Sequence, residues 1–195
     1  KELMRVMNHE FYTDNDERVH RWEGLRLLAT DGSVFDLPHT KELAERYGGT
    51  SNQHGTRTVQ ARCSVLYDLL NNMVLDAVLA PCDQGERTLA LLHIPHCRPG
   101  DLVVYDRGYP GFPLMLALHT HKTDFLMRCR VGFNKEVKAF VRSAETSSIL
   151  RMAPGHNTPI TWGPGKHHRL DVRMVKVFLD SGELEVLLTS LTDER

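Results

Sequence analysis

Asp101-Leu102-Val103-Val104-Tyr105-Asp106-Arg107-Gly108-Tyr109-Pro110-Gly111-Phe112 decides how the rest of the chain is read. Leu102 to Tyr105 is a short apolar run of the kind that forms a buried strand, and it stops at a carboxylate followed by Gly108, Pro110 and Gly111. An unpaired buried charge costs several kcal/mol, so Asp106 is expected at the rim of a cleft, facing a cation or a substrate. Leu25 to Leu37 has the same grammar: an apolar stretch runs into Asp31-Gly32, and a hairpin-like continuation through Val34 and Phe35 ends at Pro38.

Between and around these stretches the pattern alternates. Lys1 to Arg21 starts as a helix with Leu3, Val6 and Met7 on one face and reads as a peripheral lead-in. Thr40 is placed to cap a short helix to Tyr47, and Gly48 to Arg57 reads as a polar loop. Gln60–Tyr67 and Met73–Ala80 form a β-hairpin. Glu86 to His96 is a helix, Leu102 to Asp106 a strand, Phe112 to Thr120 a helix and Asp124 to Arg130 a strand. Three antiparallel strands followed by βαβ units predict a mixed α/β sheet, in which the first and fourth strands can be neighbours and bring Asp31 and Asp106 within a few Å.

After Arg130 the grammar changes. Residues 131–148 are basic with weak periodicity, 153–165 are dense in Pro and Gly, and Arg169–Leu179 and Glu183–Thr189 read as strands. The expected organisation is a lead-in over 1–21, an α/β core over 22–130, a β-rich insertion over 131–189 and the start of a return to the core over 190–195.

The net charge of −1 conceals blocks. Residues 1–120 carry 12 Lys/Arg against 16 Asp/Glu, residues 121–178 carry 11 against 4, and residues 179–195 carry 1 against 5. A basic surface beside an acidic pocket suits a metal-dependent enzyme acting on a polyanion; a solvated basic face with no partner gives the same numbers. No run of about 18 apolar residues occurs to span a membrane. Cys63, Cys82, Cys97 and Cys129 form no Cys-x-x-Cys pair, which points to reduced thiols and a cytoplasmic setting. The first residue is Lys1 rather than Met, so the chain is expected to belong to something longer.

Two aspartates at adjacent strand ends suit Mg²⁺ or Mn²⁺, hard cations that prefer carboxylate oxygens and complete their shells with water and phosphate. Asp-Gly is equally a common turn. Glu86 either answers a helix N-terminus or borders the cleft. Arg107 either meets a phosphate or pairs with Asp106 or Asp101. Arg128 and Arg130 close the fifth strand, for DNA backbone contact or for salt bridges. Cys82, His93, His96 and Cys97 invite a zinc reading at spacings unlike the usual ones, with core and surface roles as the alternative. His167-His168 reads as an exposed basic loop or a functional pair. No Ser-His-Asp set, Walker loop or Gly-x-Gly-x-x-Gly fingerprint is visible.

Leu27-Leu28-Ala29-Thr30-Asp31-Gly32-Ser33, Gly85-Glu86-Arg87-Thr88-Leu89-Ala90 and Leu102 to Gly108, in that order, resemble the DDE transposases of bacterial insertion sequences, in the fourth insertion-sequence family. The resemblance covers roughly Trp22 to Thr192. It implies a ribonuclease-H-like core with a β-rich insertion after the fifth strand. It also implies Mg²⁺-dependent hydrolysis at transposon ends followed by joining to target DNA. Asp31 and Asp106 match the first two catalytic and metal-holding acids. The implied partners are transposon-end and target DNA, with a homodimer possible in the intact protein and a bacterial, nucleoid-associated location.

The third acid should be a Glu in a Tyr-x-x-Arg-x-x-x-Glu-x-x-x-x-x-x-Lys motif, which does not occur in the 195 residues; Glu194 comes too early and lacks the Tyr and Arg. The chain therefore reads as a truncated catalytic core that does not cleave DNA by itself. Two other readings compete. One is a non-catalytic DNA-binding or assembly module working through residues 121–178. The other is a small metal-dependent nuclease with Glu86 or Glu194 as third acid.

Overall fold

The computed structural model describes residues 2–51, 57–155 and 168–192. The chain divides into two units, 1–96 and 97–195.

The first unit is built on β3 (Arg57–Asp68), a twelve-residue strand paired antiparallel with β1 (Arg26–Asp36), β2 (Gly49–Ser51) and β4 (Met73–Pro81). Strand residues alternate faces. One face carries Leu28, Thr30, Ser64 and Leu66, all buried, and receives α3 (Glu86–His93) through Leu89, Ala90 and His93. The helix α1 (Glu2–Asp14) lies against β4, and α2 (Lys41–Tyr47) lies against β3. Thr40 caps α2 as expected, its Oγ1 accepting from the Leu43 amide at 3.3 Å. The lead-in helix buries none of its residues, and the Leu3–Val6–Met7 face points outward. It is fastened by polar contacts instead. The Tyr12 hydroxyl donates to Asp68 Oδ2 at 2.6 Å, and the Arg26 guanidinium stacks 4.8 Å from the Tyr12 ring centroid.

Two expectations are corrected here. Asp31 does not end a strand: β1 runs on through Asp31-Gly32 to Asp36 with no hairpin, in unbroken register from Leu28↔Asp68 to Asp36↔Gln60. The long β3 ladder overrides the turn preference of Asp-Gly, and the glycine is used for space. A Cβ at Gly32 would lie 3.3 Å from Glu86 Cγ. The polar loop read at 48–57 begins as a strand, β2; there Gly49 sits so close to Thr58 that a Cβ would fall 2.1 Å from its carbonyl oxygen. Residues 52–56 of that loop lie outside the described residues.

The second unit contains β5 (Asp101–Tyr105), α4 (Phe112–Thr120), β6 (Asp124–Cys129), α5 (Lys135–Arg142), β7 (Ser147–Met152), β8 (Leu170–Phe178) and β9 (Leu184–Thr189). The strand order is β5-β6-β9-β8-β7. Only β5 and β6 are parallel, joined by α4 in a βαβ unit; the other neighbours are antiparallel. Leu102, Val103, Leu114, Met115, Leu118, Phe125, Met127, Val172 and Leu188 form the interior. Each such side chain withdrawn from water contributes about 1.5–3 kcal/mol before entropy is counted.

Residues 131–148, left without elements by the sequence reading, hold α5 and the start of β7. Asn134 caps α5 by accepting from the Val137 amide at 2.7 Å, and Val137 and Phe140 anchor it three residues apart. Among the described residues no helix is long and apolar enough to cross a membrane.

Candidate active site

Asp106 stands immediately after β5, at the carboxyl end of a buried strand, as the sequence predicts. Its carbonyl accepts from the Tyr109 amide at 3.1 Å, closing the Asp-Arg-Gly-Tyr turn. Tyr109 is buried with its ring centroid 5.2 Å from that of Tyr105, so the turn is pinned by an aromatic pair beneath it. The carboxylate itself is 61 % exposed. Burial does not threaten it, and it is not alone: Arg128 Nη1 donates to Asp106 Oδ1 at 3.1 Å.

The rest of this cluster comes from the β6 and β9 strands. Parallel register sets Tyr105 beside Met127, which brings Asp106 next to Arg128. On the other side Arg128 opposes Leu187, and Glu185, two residues away on the same face of β9, is its diagonal neighbour. Arg128 Nη2 donates to Glu185 Oε1 at 2.7 Å. Arg107 donates to the same oxygen and to Glu183 Oε1, the latter at 3.1 Å. The Glu185 side chain is only 5 % exposed. Hydrogen bonds from Arg128 first, and then Arg107, hold its carboxyl below the usual carboxylate range, and the same bonds raise both guanidiniums above theirs. One buried carboxylate thus orients two arginines, one of which reaches the family-matching aspartate. Arg130 is exposed just past β6 and makes no ion pair among the described residues. Arg128 is therefore paired with carboxylates, the salt-bridge alternative of the sequence reading, whereas Arg107 pairs with Glu183 and Glu185 and not with the expected Asp106 or Asp101. Glu183 and Glu185 were not singled out from the sequence; the usable signal was a Glu inside the apolar strand Leu184–Thr189.

Asp31 is an exposed residue in the interior of β1, opposite Val65 and diagonal to Cys63 and Tyr67 on the same face. Glu86 serves the other face. Its Oε1 accepts from Arg62 Nη1 at 2.6 Å, and its side chain lies over Gly32. Because successive strand residues point opposite ways, Glu86 and Asp31 stand on opposite faces of β1. This removes Glu86 as a third acid beside Asp31. Glu194, His167 and Lys166 lie outside the described residues.

The zinc reading dissolves in the same way. His93 is buried, with Nδ1 2.9 Å from Asp76 Oδ2 and Nε2 3.0 Å from Ser64 Oγ. His96 Nε2 lies 3.6 Å from the same Asp76 oxygen. Among the described residues no three or more His, Cys, Asp or Glu side chains are grouped to hold a metal. A Ser-His-Asp chain therefore does exist in space, contrary to the sequence reading. Ser64, His93 and Asp76 are each at most 1 % exposed, so no substrate reaches the hydroxyl and the chain fastens α3 to β3 and β4.

The donor chemistry at the two aspartates fits a hard divalent cation. Asp31 is an exposed carboxylate within β1 and Asp106 an exposed carboxylate just after β5, and Oδ2 of Asp106 has no hydrogen-bond partner among the described residues.

In open α/β sheets the position just beyond the carboxyl end of a parallel strand, where Asp106 stands, is a common place for ligands to bind. The family is narrower: residues 22–177 match the Transposase DDE domain, and the chain belongs to that family. It is 32% identical over 100 residues, half of this chain and 33% of the relative, to the putative transposase InsZ of Escherichia coli (strain K12). Over 136 residues, 70% of this chain and 27% of the relative, it is 24% identical to the transposase for insertion sequence element IS231F of Bacillus thuringiensis subsp. israelensis. It spans a third or less of the length of these curated relatives. Among solved structures it is similar to the piggyBac transposase in a synaptic complex with hairpin DNA, with a TM-score of 0.49 and 11% identity over 87% of this chain and 34% of that one.

Proposed function

We propose that the chain is the part of a DDE transposase that supplies the first two catalytic acids, Asp31 and Asp106, and that these hold Mg²⁺ or Mn²⁺ together. The whole protein would cut transposon ends and join them to target DNA in the bacterial cytoplasm, as a DNA-bound homodimer. On this reading residues 22–130 open a ribonuclease-H-like core, 131–189 are its β-rich insertion, and 190–195 begin the return to the core.

The observation that carries the reading is the state of Asp106. A turn pinned by the buried Tyr109 presents an exposed carboxylate with one oxygen unpaired among the described residues, in the Asp-Arg-Gly motif of a chain whose family is a transposase domain. A divalent ion held there supplies Lewis-acid activation of a water or 3′-hydroxyl and stabilises the leaving oxygen. The protein's own task is to hold the two carboxylates still and to keep cations facing the DNA backbone, for which Arg107, Arg128 and Arg130 are the candidates. With two acids present, the 195-residue chain does not cleave DNA.

Fe²⁺ in place of Mg²⁺, with ascorbate and peroxide, cuts a polypeptide backbone near its binding site. Cleavage near both residue 31 and residue 106, lost from both places in Asp31→Asn or Asp106→Asn, is the expected result. Cuts at one place alone would sink the shared site. Robust Mg²⁺-dependent plasmid nicking by the chain, abolished by Asp106→Ala, would overturn its inactivity. Tight DNA binding with a steep salt slope, unchanged by Asp106→Asn, would favour the non-catalytic module.

A further inference from the structure

We infer that Arg128 is a built-in competitor for the cation at Asp106, and that Glu185 is the positioning residue that parks it. This rests on the reading of Asp106 as a cation ligand. Three facts carry it. Arg128 Nη1 occupies one Asp106 oxygen at 3.1 Å, in the place an oxygen-seeking cation would take. Its Nη2 is already bound to Glu185 at 2.7 Å, so the guanidinium can leave Asp106 by a small rotation while keeping that bond. Glu185 is nearly fully buried on β9 and is held from the other side by Arg107, which makes it a fixed anchor. A guanidinium in direct contact lowers the affinity of a carboxylate for a second cation by charge repulsion and by occupying its oxygen. Loading the site thus exchanges Arg128 for the metal and leaves a cation parked beside it. The planar, forked guanidinium suits the task because it spans two carboxylates at once, which a lysine ammonium does not.

The test uses the whole chain and Mn²⁺ alone, with affinity read from the EPR signal of unbound Mn²⁺ and from calorimetry, and with circular dichroism as the folding control. Asp106→Asn abolishes binding. Arg128→Gln, at a half-exposed position, tightens Mn²⁺ binding roughly fivefold, the scale of an exposed ion pair plus its charge. Glu185→Gln weakens binding by a similar factor, and most of that effect vanishes when Arg128→Gln is also present, because Glu185 acts through Arg128. A merely structural Glu185 would change stability and leave this coupling at zero. Unchanged or weaker binding in Arg128→Gln overturns the inference while Asp106 remains a ligand; unchanged binding in Asp106→Asn overturns both.

Discussion

His93 and Asp76 meet at 2.9 Å inside the first unit, and Ser64 closes the other side of the same imidazole. Removing one member takes a buried hydrogen bond from its neighbours, and a buried polar atom that loses its bond costs more than the bond's net worth. His93→Ala and Asp76→Asn should each lower stability to urea by about 2–4 kcal/mol, and Ser64→Ala by about 1 kcal/mol. Equal tolerance of all three substitutions would show that the network does not hold α3.

The approach of Glu86 to Gly32 makes a steric prediction. Gly32→Leu should destabilise by about 1–3 kcal/mol because the new side chain displaces Glu86 from Arg62. Most of that loss should disappear in a Glu86→Ala background. A double-mutant cycle with zero coupling would contradict the contact.

The lead-in helix should depend on Tyr12 more than on its apolar residues. Burial, reinforced by Asp68, raises the Tyr12 phenol above its ordinary value. The folded pKa therefore lies above the unfolded one, near 10. The contribution is complete below that pH and is lost as pH rises through the folded value. Tyr12→Phe should cost about 1 kcal/mol at neutral pH. Leu3→Ala and Met7→Ala should be nearly neutral. Tyrosinate absorbance should show one fewer late-ionising residue in Tyr12→Phe than in the wild type.

Glu185 gives the opposite sign. Its folded pKa is depressed by Arg128 and Arg107, so its contribution is present above the unfolded value of about 4.3 and fades as pH falls through the folded one. Thermal melts from neutral to acid pH should fall more steeply for wild type than for Glu185→Gln. Parallel curves would mean the clasp adds no linkage.

The sequence made most elements legible because their signals are local. Thr40 before a helical run, the apolar run Leu102–Tyr105 and the Pro-Gly punctuation after Arg98 all speak within a few residues. The errors occurred where distant pairing decided. Asp31-Gly32 looks like a turn until β3 is laid beside it. Gly49 looks like loop until Thr58 approaches. The Asn134 cap with Val137 and Phe140 was a readable helix signal masked by surrounding basic residues. At the site, Asp31 and Asp106 were legible as motif carboxylates. Glu185 was not, because its meaning lies in a diagonal across β6 and β9. Ser64, Asp76 and His93 were likewise invisible as a set, since three strand and helix positions far apart in sequence converge only after folding.

The β6–β9 diagonal carries one more consequence. Strand side chains alternate faces, so a slip of one residue between these strands would send Glu185 to the far side of the sheet from Arg128. Leu187 and Leu188 are similar enough in volume for the slipped ladder to keep much of its apolar packing. Proofreading of that ladder therefore falls to the charges: a misaligned chain would leave Glu185 without its arginines, and the arrangement that readies the aspartate also checks that β9 has docked in frame.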